Sequence, residues 1–180
     1  MCEIGFERLP LVAAVSITLA LVFVSMTLFL QPQEAFALTV TIEGESSCES
    51  IGGSFSLSTC TIDDLTVNET DTIDIAGFFN LDVMGILTNN GGEINNNAGG
   101  AIIINNGEIN NNVGGEINNI VGTILINAST INNNGTLDNT GIITIDAGGN
   151  IVNDGTLDND GTIDNGGDIT INGGTFTNSF

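Results

Sequence analysis

Aspartates are the side chains of this sequence whose type and spacing could support chemistry. Asp138, Asp158 and Asp164 hold the same place in short units that read Gly-Thr-Leu-Asp-Asn or Gly-Thr-Ile-Asp-Asn. Calcium takes oxygen ligands, which Asp, Asn and backbone carbonyls supply. Stacked carboxylates of this kind are candidate calcium ligands. The interpretation that we favour is that they only keep an isoleucine-rich protein soluble, since the sequence lacks the calcium nonapeptide Gly-Gly-x-Gly-x-Asp.

Catalysis has few candidate groups in this composition. The chain has no His, Trp or Tyr and a single basic residue, so only carboxylates could act as general bases outside the cysteines. The aspartates recur at repeat positions, as solvated corners do, and form no isolated cluster. We therefore predict a protein that is not an enzyme and needs no cofactor. The alternative is a β-helix protein that binds or cleaves polysaccharides, because two carboxylates can suffice for glycoside hydrolysis.

The charge balance excludes one class of partner. Asp and Glu number 22 against one Lys or Arg, for a net charge of −21. Phosphate backbones are bound through cationic side chains, so nucleic acid is excluded. Cations and positively charged partners are the species that this surface would attract.

The first 37 residues differ from the rest. Residues 9–30 form an uncharged apolar run long enough to span a bilayer as a helix. Ala35 and Ala37 provide a small-x-small site of the kind that signal peptidase cuts. A cleaved signal peptide and a retained N-terminal membrane anchor both fit. In either case we expect the acidic body to be extracytoplasmic, secreted or at the cell surface, with membrane contact only through residues 9–30.

Cys48 and Cys60 are the two cysteines that follow the apolar run. In an oxidising compartment they are expected to form a disulfide. Two unpaired buried cysteines are the alternative. Residues 38–60 are less repetitive than the remainder of the chain, and we interpret them as an N-terminal cap.

Residues 61–180 form an Asn- and Gly-rich repeat. An Ile-x-Ile-(Asn/Asp) tetrapeptide recurs at Ile102–Asn105, Ile124–Asn127, Ile143–Asp146 and Ile169–Asn172. About 20 residues separate successive copies, which predicts one β-solenoid coil per copy, with one longer strand and two or three short corners. Stacked coils would bury the isoleucines and align Asn amides into ladders. A disordered low-complexity tract is the alternative.

Units such as GTLDN, GTIDN and GEINN resemble the parallel β-helix repeats of secreted surface proteins and filamentous-haemagglutinin-like adhesins. The resemblance implies an all-β, single-stranded parallel β-helix of five or six coils behind an N-terminal hydrophobic helix. Right-handed winding is expected, because the coils are irregular in length. The six-residue spacing also fits a triangular left-handed helix.

These observations predict a structural or adhesive protein of the cell surface or envelope. The chain ends inside a repeat, so we expect self-association through the open solenoid end. A cell-surface or glycan partner is not identified. Asn68, Asn127 and Asn134 stand in glycosylation sequons, which chance alone explains in so Asn-rich a sequence.

Overall fold

The computed structural model describes residues 37–179. The predicted leader, with its apolar run at residues 9–30 and Ala35, lies outside the described residues. Within the part that is described, no helix is both long and apolar enough to cross a membrane. The described residues belong to one compact unit with its own core.

The chain winds into a three-sided solenoid of about six coils, one parallel sheet on each side. Sheet A comprises β1 (Thr39–Ile42), β5 (Thr72–Ile75), β8 (Glu93–Asn96), β11 (Glu116–Asn119), β14 (Thr136–Asn139), β17 (Thr156–Asn159) and β20 (Thr175–Asn178). Sheet B comprises β2 (Ser54–Ser56), β3 (Thr59–Ile62), β6 (Asn80–Val83), β9 (Ala101–Asn105), β12 (Thr123–Asn127), β15 (Ile142–Ile145) and β18 (Thr162–Asn165). Sheet C comprises β4 (Leu65–Asn68), β7 (Ile86–Asn90), β10 (Glu108–Asn111), β13 (Thr130–Asn133), β16 (Asn150–Asn153) and β19 (Asp168–Ile171).

The all-β parallel solenoid and its coil number are therefore confirmed, but the division of each coil differs from the prediction. A full coil contains three strands of four or five residues rather than one longer strand with short corners. Units such as Gly-Thr-Leu-Asp-Asn form strands of their own, β14 and β17. Their Thr and Asp face outward while Leu faces the core, since alternate residues of a strand point to opposite faces.

Columns of aliphatic side chains form the core. In sheet A, Ile94, Ile117, Leu137 and Leu157 are register partners in successive strands, and all are at most 1% exposed. Each covers the next at the spacing of neighbouring strands, about 4.8 Å. Burying such a side chain contributes roughly 1.5–3 kcal/mol, and only when an adjacent coil covers it. The coils therefore stabilise one another.

One predicted column is wrong in its last member. Ile104, Ile126 and Ile145 are register partners in sheet B, as the tetrapeptide repeat predicted. Ile171 instead belongs to sheet C, where it lies opposite Asn153. The 26 residues from Ile145 to Ile171 make one coil plus one further side, so the same motif falls on a different face.

Asparagines inside the solenoid form two ladders, which confirms the predicted amide stacking. One ladder lies along sheet A, where Asn119 Nδ2 donates to Asn139 Oδ1 at 2.6 Å and Asn139 Nδ2 to Asn159 Oδ1 at 2.6 Å. The other lies along sheet C, where Asn111 Nδ2 donates to Asn133 Oδ1 at 2.7 Å. These side chains are at most 2% exposed. Repetition of Asn at one position of the coil satisfies amides that would otherwise be costly to bury.

The same amides also bind the backbone of the next corner. Asn119 Nδ2 donates to the carbonyl of Ile142 at 3.1 Å, and Asn133 Nδ2 to that of Thr156 at 2.7 Å. The sheet A ladder begins at Asn96, whose Oδ1 is buried without a hydrogen-bond partner. Its register partner in the preceding coil is Ile75, which has no amide to donate. At the start of the sheet C ladder, Asn89 also lacks an Asn before it, but its Oδ1 accepts the Gly92 backbone N–H at 2.9 Å.

Glycines allow the corners to stack closely. A Cβ on Gly135 would overlap the carbonyl oxygen of Gly115 in the coil before it, and a Cβ on Gly155 would overlap that of Gly135. The same carbonyls accept hydrogen bonds from the following coil, as when Thr136 N–H donates to Gly115 O at 2.9 Å. Contact of backbone with backbone at this corner excludes any side chain.

The first coil begins inside residues 38–60, because β1 pairs with β5 along sheet A. The boundary at residue 61 therefore does not coincide with the start of the solenoid. Helix α1 (Glu45–Ser50) follows β1, and β2 forms an antiparallel hairpin with β3. The predicted disulfide is confirmed: Cys48 of α1 is bonded to Cys60 of β3, with a Cα–Cα distance of 5.4 Å.

Asp71 connects the backbone at Leu38, just before β1, to the second coil through hydrogen bonds. Its carboxylate accepts the Leu38 and Asn68 backbone N–H groups, both at 2.9 Å, and Asn68 Nδ2 at 3.2 Å. Burial acts to raise the pKa of Asp71, but these hydrogen bonds outweigh it and hold the pKa below its ordinary value. The stability that this clamp contributes is present at neutral pH. It is lost as acid protonates the folded-state carboxylate, below about pH 4.

Substitution of a ladder residue tests how far the fold depends on the amides. Asn119→Ala removes the bond that Asn119 Oδ1 accepts from Asn96 and the bonds that Asn119 Nδ2 donates to Asn139 Oδ1 and the Ile142 carbonyl. A buried polar group that loses its partner costs about 1–3 kcal/mol. We expect the free energy of unfolding to fall by about 3 kcal/mol or more. Urea titration followed by circular dichroism measures it.

The matched control is Asn118→Ala, one residue away on the outer face. Asn118 contacts Asn95 and Glu93 there, where water replaces lost hydrogen bonds. Its cost should stay below about 1 kcal/mol. An equal decrease in the free energy of unfolding for the two variants would show that the buried ladder stabilises the fold no more than the exposed amides do.

Candidate functional site

The candidate site is the acidic outer face of sheet A, where two of the three predicted calcium ligands meet. Asp138 of β14 and Asp158 of β17 are register partners, and both side chains are half-buried on the outer face. Directly opposed residues of neighbouring strands bring their Cβ atoms to about 5 Å. Asp164 lies elsewhere, in β18 of sheet B opposite Thr144, with its side chain exposed.

The arrangement has a clear electrostatic consequence for Asp138. Partial burial raises the pKa of Asp138, and the charges of Asp158 and Asp160 raise it further. The ionised carboxylate is therefore disfavoured in the folded chain relative to the unfolded chain. A cation or a hydrogen-bond donor at this position would relieve the repulsion. The described residues leave Asp138 and Asp158 without an amide between them.

Elsewhere on the outer faces, amides accompany the carboxylates. Asn95 Nδ2 donates to Asp74 Oδ1 at 2.9 Å, in the same position of sheet A where Asp138 and Asp158 meet. On sheet C, Asn132 Nδ2 donates to Glu108 Oε1 at 2.7 Å. Alternation of Asn with Asp or Glu thus converts a like-charge contact into a hydrogen bond. Asp138 and Asp158 depart from this arrangement, and so do Glu93 and Glu116, which are also register partners in sheet A.

A second acidic feature was not predicted from the sequence. Glu93 and Glu116 are register partners in sheet A, and together with Glu69 they line a shallow groove of about 220 Å³ at the corner between sheets C and A. A signal for it exists in the sequence, because the two EINN units that begin at these glutamates lie one coil apart. The third EINN unit falls on sheet C, so the unit by itself does not indicate its side of the coil.

Metal binding at these carboxylates stays a prediction. Within residues 37–179, no group of three or more His, Cys, Asp or Glu has the geometry to hold a metal ion. Calcium would have to complete its shell from Asp138, Asp158, nearby backbone carbonyls and water. A calcium titration of the melting temperature tests this directly.

The three sequon asparagines occupy different environments. Asn134 is exposed in the corner that leads into β14. The side chain of Asn127 donates to Asn105 Oδ1 at 2.8 Å, and that of Asn68 donates to Asp71. A glycan on Asn127 or Asn68 would replace an amide hydrogen that these bonds use. Asn134 is the most suitable of the three for modification, which stays a prediction.

In comparisons with known proteins, no protein-family model, no curated protein and no solved structure matches the chain.

Removal of one charge at the Asp138–Asp158 contact should stabilise the fold. Asp138→Asn replaces the repulsion with an amide–carboxylate hydrogen bond of the Asn95–Asp74 type, worth about 1 kcal/mol. We expect the melting temperature at neutral pH to rise by about 2–4 °C. Because the pKa of Asp138 is raised, its destabilising effect is present only where it is ionised, so the gain should vanish below about pH 4.

Asp164→Asn is the control, since it removes the same charge from an exposed position opposite a threonine. Its effect should stay within about 0.5 kcal/mol. An equal gain from both variants would mean that net charge, and not this contact, limits stability.

Proposed function

We propose that this protein is a non-enzymatic, exported protein of the cell surface or envelope, with a structural or adhesive role. The observation that carries the proposal is the unbroken stacking of coils. About six coils of short strands present continuous rows of Thr, Asn, Asp and Glu on their outer faces. A row of identical groups repeated about every 4.8 Å is suited to multivalent contact with a repetitive partner.

The resemblance to filamentous-haemagglutinin-like adhesins supports this proposal at the level of architecture. The solenoid and its amide ladders are what that resemblance implies. We also propose right-handed winding, since crossover connections between parallel strands of one sheet are right-handed in nearly all proteins.

The proposed location is extracytoplasmic, with any membrane contact made through residues 9–30. The apolar run at these residues supports it, and so does the Cys48–Cys60 disulfide. Structural disulfides form and persist mainly in oxidising compartments. The acidic outer faces further support a body that stays in water and has no nucleic-acid partner.

Protease accessibility on intact cells tests the proposed location. We expect an epitope tag placed after residue 179 of the full chain to be removed by added protease, while a cytoplasmic marker protein stays intact. A tag placed before residue 9 should remain protected if the leader is a membrane anchor. Protection of the C-terminal tag until the cells are lysed would contradict the proposal.

Binding to isolated envelopes of the producing cell tests the adhesive role. Labelled protein covering residues 37–180 should bind saturably, and the same protein unfolded by reduction and heating should not. Release of reducing sugar from envelope polysaccharide would overturn the non-enzymatic proposal in favour of a glycan-cleaving β-helix protein.

The open end of the solenoid supports the proposal of self-association. Strands β18, β19 and β20 end their sheets, so one hydrogen-bonding edge of each is unpaired within the described residues. Phe176 and Ile171 are 42% and 41% exposed there, and Ile163 is only partly covered. A further coil, supplied by a second copy, would cover these side chains and pair the strand edges.

Substitutions in β20 test whether its core-facing side, and not its outward side, mediates association. Phe176 points into the end of the core opposite Leu157, whereas Thr177 points outward. Phe176→Asp should reduce association of the open end, and Thr177→Asp should leave it unchanged. Analytical ultracentrifugation measures both, and equal behaviour of the two variants would refute stacking at this end.

A further inference from the structure

The outer face of sheet B has a composition unlike the rest of the surface. Strands β9, β12 and β15 read AIIIN, TILIN and IITI, and contain no charged residue. Their outward positions carry Ile103, Leu125 and Ile142 beside Ala and Thr, with Asn105 and Asn127 at the strand ends. Ile142 is 46% exposed, and the other two are partly exposed. Three adjacent strands thus form an uncharged surface with aliphatic side chains at its centre, which we call the β9–β12–β15 face.

The other two sheets lack such a surface. Each strand of sheet A from β8 to β17 carries a carboxylate. In sheet C, the adjacent pairs β4–β7 and β13–β16 are uncharged, and each pair has one aliphatic residue at its outward positions, Ile86 and Val152. Sheet B therefore has the larger set of outward aliphatic residues on adjacent uncharged strands. Contiguous exposed apolar surface of this kind marks interaction sites.

The corner beside this face adds two more exposed aliphatic residues and a strained backbone. Ile120 and Val121 are 46% and 65% exposed. Val121 has φ of 59°, a left-handed conformation that is rare for a β-branched residue, while the same corner of the two preceding coils has Gly77 and Gly99 at positive φ. Glycine or asparagine would relieve this strain at no loss to the core. The chain instead keeps an aliphatic side chain that only solvent or a partner can contact.

We propose that the β9–β12–β15 face packs against the same face of a second copy of this chain. The charge distribution favours a second copy over a basic partner as the occupant of this face. The residues from 38 onward carry nineteen carboxylates and no basic side chain, so two copies repel each other wherever sheets A approach. The uncharged face is where identical acidic chains approach with the fewest opposing carboxylates, because its three central strands contain none. A basic partner, by contrast, would be drawn to sheet A.

The pattern of the face suits a two-fold arrangement. Asp82 of β6 and Asp164 of β18 lie on the two sides of the uncharged strands, with β12 at the centre. A two-fold axis along β12 would place Leu125 near its own copy and β9 opposite β15, as an isologous contact requires. The same axis brings β6 opposite β18, so Asp82 and Asp164 repel each other at the margins of the contact. The uncharged area is roughly 15 Å in each direction, which is smaller than an obligate dimer needs. Weak, reversible association is therefore the form expected.

This lateral contact is independent of the proposed location and of stacking at the open end. The experiment uses residues 37–180, which contain the whole described core and the disulfide, in sedimentation equilibrium up to millimolar concentration. We expect wild-type protein to form dimers reversibly. Leu125→Asp should weaken the dimer about tenfold or more, because it places two charges against each other without a partner.

Two controls make the result specific to this face. Val152→Asp introduces the same charge at the corresponding outward position of β16 in sheet C, and Phe176→Asp alters the open end. Both should leave the lateral dimer intact. A dimer abolished by Phe176→Asp but not by Leu125→Asp would assign association to the end and overturn the lateral contact. Wild-type protein that stays monomeric at every concentration would overturn it as well.

Val121→Asn provides a readout that a merely structural role would not give. Asparagine tolerates the left-handed conformation, so this variant should unfold at a higher temperature than wild type. The same variant should dimerise more weakly, because it removes an exposed aliphatic residue from the contact. A variant that gains stability and keeps full dimer affinity would show that Val121 lies outside the interface.

Discussion

Vertical register is the constraint on which the rest of the structure depends. Each side chain has as its nearest neighbours the residues at the same position of the coils before and after it, about 4.8 Å away. A residue type is therefore suited to a stacked position when it can pack against, or hydrogen-bond to, the same residue type in the adjacent coils. Isoleucine can, which gives the columns through Ile117 and Leu137. Asparagine can as well, because its amide both donates and accepts a hydrogen bond.

Aspartate cannot meet this requirement, and its distribution follows from that. An ionised carboxylate only accepts hydrogen bonds, so two of them in register repel. The interior uses Asn at the ladder positions, and the carboxylates other than Asp71 lie on outer faces, where Asn95 of the next coil donates a hydrogen bond to Asp74. Asp138 and Asp158 are adjacent, and burial together with the charges of Asp158 and Asp160 raises the pKa of Asp138. Strands β9, β12 and β15 of sheet B avoid the problem because they contain no charged residue, which is also why a like-charged chain could approach them.

Much of the fold could be read from the sequence, because the periodic aliphatic residues are the core. Ile94, Leu137 and Ile163 all take the inward second position of a strand, as their common unit predicted. The side of the solenoid on which a unit falls was harder to predict. Asp138 and Asp164 have nearly identical neighbours in the chain, but they are 26 residues apart, or one coil plus one side. Local pattern fixes the direction of a side chain, whereas coil length fixes its neighbours.

The glycine columns imply that the length of this molecule is a separable property. Gly135 and Gly155 occupy the same corner in successive coils, twenty residues apart, and each lies closest to the backbone carbonyl of the glycine one coil before it. A segment cut or duplicated between two such corners would rejoin atoms in an equivalent setting, with ladder and column partners unchanged. Whole coils could be inserted or deleted. The length of the solenoid would then change while the contacts between neighbouring coils stay the same.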